Sequence, residues 1–328
     1  MLATTFKPVH PLYLADPFVW RHEDRYYAIG TGREEADGTT VGMERVIPLL
    51  TSTDLVHWTY LHHALIPPEP FLGGQYWAPE VIAADGRFWL YYSAGHSDQG
   101  RPHQLRVAVA DRPEGPYVDS GEPLLLPGEE TFVFDPHPYQ DDDGRRYLFY
   151  CRNFWDTEAG ARPGDAIVAR PLETMTRLGP STTILRPDAD WQRGPIRQHQ
   201  GQDVDWHTTE GACIVKRDGV YYCLYSGSAW FTASYGVHFV VADQILGPYR
   251  HTRGDPAPGI LRATPEILRG PGHNSVVIGP DGEPRIVYHA WDATMSARQM
   301  HIDRLRWVAS PFAEGPRWLP RVVTDASG

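Results

Sequence analysis

Asp16, Asp135 and Glu210 each stand eight residues ahead of an acidic turn residue, Asp24, Asp143 and Asp218. Trp77 and His273 stand the same distance ahead of Asp85 and Asp281. Three carboxylates, an imidazole and an indole at one repeated offset are a set that can do acid–base chemistry on a ring-shaped substrate. One carboxylate can activate a water, a second can deliver a proton to a leaving oxygen, and a third can tune the second. Each Asp-Pro pair taken alone also reads as an ordinary turn or strand start. Their convergence is harder to explain that way, because crowded like charges cost free energy and natural sequences accept that cost mostly at functional sites.

The spacing has meaning only if the turns belong to a repeat. The pattern is a turn with Asp, usually Asp-Gly, followed by an aromatic-rich strand. It runs from Asp24, Asp85, Asp143, Asp218 and Asp281, at separations of 61, 58, 75 and 63 residues. Asp-Gly between apolar runs marks a β-hairpin, because both residues tolerate positive φ. A third strand recurs as near copies in Val107-Ala-Val-Ala-Asp111, leading to Gly115-Pro-Tyr117, and Val240-Val-Ala-Asp243, leading to Gly247-Pro-Tyr249. Amphipathic helical patterns are lacking, and 30 Pro and 31 Gly punctuate the chain. Five units of this size predict an all-β fold, a five-bladed β-propeller, as one domain over residues 1–328. A β-sandwich with accidental internal similarity is the alternative. In a propeller the first strand of each blade lies nearest the axis, so the five residues should ring one mouth of the central channel.

Composition narrows the partners. Thirty Lys and Arg against 41 Asp and Glu give a net charge of −11, which disfavours a nucleic acid. The sequence has no apolar run long enough to span a membrane. The residues from Met1 to His10 show no signal core, so a cytoplasmic location is expected. The three cysteines, Cys151, Cys213 and Cys223, are an odd and sparse set and are expected to be free thiols, although Cys213 and Cys223 flank one hairpin turn. Eleven Trp and 17 Tyr are abundant enough to line a sugar cleft as well as a core.

Around these residues the chain resembles glycoside hydrolase family 43. The resemblance rests on Ala15-Asp16-Pro17, Trp77-Ala-Pro-Glu-Val81, Phe134-Asp135-Pro136 with Asp141-Asp-Asp-Gly144, Glu210-Gly-Ala212 before Tyr221-Tyr222, Gly270-Pro-Gly-His-Asn-Ser275 and Tyr288-His-Ala-Trp291. It implies Asp16 as general base, Glu210 as general acid, and Asp135 as the residue that orients the acid and, while ionised, raises its pKa. It implies His273 beside a central metal ion, usually calcium, and Arg298 reaching the sugar hydroxyls. Trp77, Phe18 and Trp230 are further candidates for binding substrate, with Phe154 and Trp155 as softer ones. Glu80 is expected to serve a structural hydrogen bond. The residues from Arg186 to Thr209 lengthen the fourth unit and are expected to form a loop at the pocket mouth, with His199 and His207 in no metal-ligand spacing.

Phe134 and Gly211 stand where the related fructosidases expect Arg and Cys, which argues against fructans. Ala212 replaces a Pro common in the family. The reading implied is an inverting, exo-acting glycosidase for arabino- or xylo-oligosaccharides, α-L-arabinofuranosidase ahead of β-xylosidase. Its acid and base should be about 6.5–9.5 Å apart. A non-catalytic sugar-binding propeller is the rival.

Overall fold

The structure, a computed structural model, describes residues 6–32, 44–96, 101–126, 128–130, 132–157, 160–252, 257–264, 266–312 and 314–323. Residues 1–5 and 324–328, the ends of the expected domain, lie outside the described residues, and with them half of the stretch read for a signal core.

Every Asp turn joins two antiparallel strands, and every such hairpin opens a blade. The first blade is β1 (Ala15–His22), β2 (Arg25–Thr31), β3 (Val46–Ser52) and β4 (Thr59–Ile66). The second is β5 (Gln75–Ala84), β6 (Arg87–His96), β7 (Arg101–Ala110) and β8 (Tyr117–Asp119). The third is β9 (Val133–Gln140), β10 (Arg146–Phe154) and β11 (Gly164–Thr174), edged by β12 (Arg177–Leu178) and β13 (Thr182–Leu185). After β14 (Arg193–His199) comes the fourth, β15 (Gln202–Arg217), β16 (Val220–Gly227) and β17 (Gly236–Ala242). The fifth is β18 (Arg269–Ile278), β19 (Pro284–Trp291), β20 (Arg298–Ala309) and β21 (Trp318–Val323). The two Gly-Pro-Tyr copies match in detail: Tyr117 Oη donates to Pro113 O and Tyr249 Oη to Ile245 O, each at 3.0 Å.

Blades cannot bury both faces alone, and the core is accordingly divided into five clusters, one between each pair of neighbours. Trp20, Ile29 and Leu65 meet Phe88 and Leu90 between blades one and two, and Tyr91 and Val107 meet Leu148 and Val168 between two and three. Ile167 and Cys151 meet Ile214 and Cys223 between three and four, and Cys213 and Phe239 meet Ile286 and Leu305 between four and five. Val19 and Leu50 meet Val287 and Met300 to close the ring. The N-terminal segment strengthens that closure, since Val9 and Leu14 donate backbone N–H groups to Met300 O and Arg298 O, both at 2.9 Å. Each fully buried Leu or Ile in these seams stabilises the fold by roughly 1.5–3 kcal/mol. Cys213 and Cys223 lie in different seams; both are free, as is Cys151.

The inner strand of every blade carries a bulge at the same level. Between the pairs Ala15↔Thr31 and Phe18↔Ile29, two residues of β1 face one of β2. The same slip follows Trp77↔Ser93, Phe134↔Cys151, Glu210↔Ser226 and Gly272↔His289. The first bulged residue is left-handed in all five: Asp16 (φ 49°), Ala78 (φ 44°), Asp135 (φ 55°), Gly211 (φ 60°) and His273 (φ 49°). These five, and not the five at equal offset from a turn Asp, are the equivalent positions; Trp77 and Glu210 stand one residue earlier. The offset fails because the turns differ. Glu23, Asp85 and Asp218 open two-residue turns, whereas residues 141–145 and 279–283 make longer ones.

Candidate active site

The bulges turn side chains into one cavity of about 500 Å³ at the mouth of the channel. It brings together Asp16, Trp77, Asp135, Glu210, Trp230, His273 and Arg298. Phe18 is not among the residues lining it: the slip at Asp16–Pro17 sets Phe18 opposite Ile29 and turns it onto Trp20, 6.1 Å away in the seam with blade two. Phe154 and Trp155 also lie off the cavity lining. Guanidinium groups of Arg152 and Arg186 cover Phe154 at 4.3 and 4.6 Å, and Trp155 stacks on His199 at 3.9 Å. The stretch before Glu210 is not a loop. β14 and the start of β15 pair antiparallel about Gln200-Gly201, and Pro195 and Arg197 of this hairpin line the cavity. Glu80 accepts from His137 Nδ1 at 2.7 Å and packs between blades.

Asp16 is built to stay ionised. Arg298 Nη1 donates to Oδ1 at 3.1 Å and Thr31 Oγ1 to Oδ2 at 2.7 Å. Burial would raise this carboxyl, but Arg298, then His273 and His289, outweigh burial and hold it well below the usual carboxylate range. Arg298 is itself fixed by donating to Tyr13 Oη at 2.8 Å and by lying over the Trp230 ring at 4.4 Å. His289 Nδ1 lies 3.1 Å from the Asp16 backbone nitrogen and 3.3 Å from its Oδ1, and burial lowers the pKa of this imidazole to about 4.

Glu210 is built to stay protonated. Burial, with the charges of Asp165 and Asp16, pushes it up to about 8, against the Tyr235 hydrogen bond and Arg298. Tyr235 Oη donates to Oε1 at 2.6 Å. Asp135 accepts from the Gly211 N–H at 3.2 Å, and burial, then Glu210 and Asp16, raise it well above the usual carboxylate range. Asp135 and Glu210 thus raise each other, and Asp165 and Asp16 add to the charge that keeps Glu210 protonated.

Four residues of this arrangement had no place in the motif spacing: Thr31, Asp165, Tyr235 and His289. His289 lies inside the Tyr-His-Ala-Trp segment, and Tyr235 belongs to none of the quoted motifs. Trp77 lines the cavity with its ring stacked on His103 at 3.5 Å between centroids.

Near His273 the side chains supply few of the oxygens that a calcium ion takes. Its Nδ1 faces Asp16 Oδ1 at 3.4 Å and Asp135 Oδ2 at 3.7 Å, and its backbone N–H donates to Ser226 Oγ at 2.7 Å. Calcium takes six to eight oxygen ligands, and among the described residues no three His, Cys, Asp or Glu side chains are grouped to hold an ion. Nor is any helix among them long and apolar enough to cross a membrane.

The family description "Glycosyl hydrolases family 43" matches residues 5–311. A β-D-galactofuranosidase of Aspergillus niger is 28% identical, covering 99% of this chain and 88% of that protein. An α-L-arabinofuranosidase of Humicola insolens is 26% identical over 85% of this chain, which spans about half (54%) of that protein's length. Among solved structures, a thermostable family-43 glycoside hydrolase superposes with a TM-score of 0.77 at 28% identity, covering 97% of this chain and 95% of that one.

Proposed function

The chain belongs to glycosyl hydrolase family 43, an inverting glycosidase family acting here on pentose or furanose sugars of glycans, and from that premise we propose an exo-acting α-L-arabinofuranosidase for arabinan or arabinoxylan oligosaccharides. The observation that carries the reading is the presence, in one cavity, of two carboxyls in unlike surroundings: Asp16 bound by Arg298 and Thr31, which favour its ionised form, and Glu210 buried beside other carboxyls, which favours its protonated form. A protein that merely binds sugar has no need of such a pair. A cavity of 500 Å³ also falls in the range of small-ligand pockets, about 300–1,000 Å³.

In this reading Asp16 takes a proton from a water, whose oxygen attacks the anomeric carbon. The bond to the leaving oxygen breaks as Glu210 gives that oxygen its proton, and the product forms with inverted configuration. With Oε1 engaged by Tyr235, Oε2 is the oxygen left to carry that proton. Asp135, held by the Gly211 N–H, orients the acid; Arg298 holds Asp16 and can reach sugar hydroxyls, with Trp77 and Trp230 as the walls.

The β-D-galactofuranosidase relative, aligned along almost the whole chain, favours a second furanosidase reading, and β-xylosidase stays the alternative of the same fold. Release of nitrophenol from the α-L-arabinofuranoside at least tenfold faster than from the β-D-xyloside and the β-D-galactofuranoside supports the first reading. Release from none of the three supports a binding protein. Calcium at His273 is a separate proposal, supported by the acidic charge crowded there. Dialysis against EDTA should lower Tm, and an unchanged Tm disproves it.

A further inference from the structure

Asp165 on β11 is a fourth carboxylate of the cavity, and its side chain is 3% exposed. Its partners crowd one oxygen. Trp206 Nε1 donates to Oδ2 at 2.8 Å, Thr208 Oγ1 donates to it at 3.0 Å, and Arg197 Nη2 lies 3.6 Å away. Oδ1 is buried and meets no hydrogen-bond partner among the described residues. The Thr209 hydroxyl donates to the Asp165 backbone carbonyl at 2.9 Å, and Asp165 pairs with Thr208 in the parallel seam between β11 and β15. The two residues directly before Glu210 are thus both fastened to Asp165. A buried carboxylate with one oxygen unsatisfied costs stability, and the catalytic scheme above gives it no task.

Resting on the reading of Glu210 as the acid, we propose that Asp165 is a positioning residue: it locks the acid-bearing stretch of β15 through Thr208 and Thr209 and adds a like charge to the surroundings of Glu210. The groups facing Glu210 are Asp16 on β1, Asp135 on β9, Cys151 on β10, His273 on β18, Arg298 on β20 and Tyr235 just before β17. Of the raising charges, Asp165 stands ahead of Asp16. Burial raises the Asp165 carboxyl too, while Arg197, Trp206 and Thr208 oppose that. Arg197 rides on the rim hairpin with its guanidinium 4.2 Å over the Trp206 ring, so the same carboxylate joins the pocket mouth to the acid.

The test is the pH profile of kcat/KM of the full chain on an arabino-oligosaccharide, with Asp165→Asn and Glu210→Gln beside the wild type. For Asp165→Asn, the ratio of activity at pH 8 to that at pH 5.5 should fall about fivefold, as lowering a titration midpoint near pH 8 by one unit requires. Activity at pH 5.5 should stay within about threefold of the wild type, because Glu210 still carries its proton there. A purely structural role would lower activity equally at all pH values and leave the ratio alone; that result overturns the proposal. If Glu210→Gln keeps the wild-type basic limb, the acid assignment itself fails. If Glu210→Gln removes the limb while Asp165→Asn leaves it in place, the assignment stands and the proposal for Asp165 falls. Should Asp165→Asn not fold, Asp165→Ser is read in the same way, and failure of both to fold shows a scaffold role and also overturns the proposal.

Discussion

Tyr235 reaches Glu210 through a gap that only a residue without a Cβ leaves open: a Cβ on Gly272 would sit 2.0 Å from the Tyr235 ring, whose hydroxyl donates to Glu210 Oε1 at 2.6 Å. The Gly-Pro-Gly-His segment of blade five thereby sets where the Tyr235 hydroxyl meets Glu210 of blade four. Gly272→Ala should displace the ring and cost about 10²-fold in kcat, the scale of a misplacement near 1 Å. Tyr235→Phe removes a donor that favours the charged carboxylate, so the basic limb of the kcat/KM profile should move to higher pH. A limb that moves to lower pH contradicts the hydrogen bond's assigned direction.

Asp16→Asn should keep the fold and lower turnover about 10²–10⁴-fold on every substrate, the cost of removing a general base. Because Arg298, His273 and His289 hold Asp16 well below the usual carboxylate range, the wild-type rate should show no acid limb in the ordinary range of carboxylate titration, near pH 4. Retention of more than a tenth of the activity by Asp16→Asn removes this residue from the mechanism.

Stability should respond to pH with the opposite sign from a salt-bridged carboxylate. Glu210 holds its proton to about pH 8 when folded but loses it near 4.5 when unfolded. Between these values the native state binds more protons, so stability falls as pH rises through that window and levels off above it. Glu210→Gln is neutral at every pH. Its Tm relative to the wild type should therefore rise from pH 5 to pH 8.5, and a constant difference would show that Glu210 is not held protonated.

The propeller was legible because each unit repeats its hairpin turn, and turn chemistry is local. Asp16, Asp135 and His273 were legible for the same reason. Trp77 and Glu210 were placed one residue out of equivalence, since the bulge that defines the repeat depends on turn length, and Glu23 rather than Asp24 corresponds to Asp85. Phe18 looked like a pocket wall by proximity to Asp16, yet the bulge reverses which face it takes. Asp165 lies on a third strand and Tyr235 just ahead of one, where no spacing marks a residue that reaches the axis across a seam. The hairpin about Gln200-Gly201 was masked by polarity: as a rim element it buries little, and its strands lack apolar alternation.

The assignment of acid and base is tested most directly by the leaving-group dependence of Glu210→Gln. A series of aryl α-L-arabinofuranosides and one arabino-oligosaccharide supplies leaving oxygens from weakly to strongly basic, and only the basic ones need a proton. For the variant, kcat/KM should stay near the wild-type value with the best nitrophenolate and fall progressively, to about 10²–10⁴-fold below it, with the sugar alkoxide. A loss of equal size across the whole series contradicts Glu210 as the proton donor.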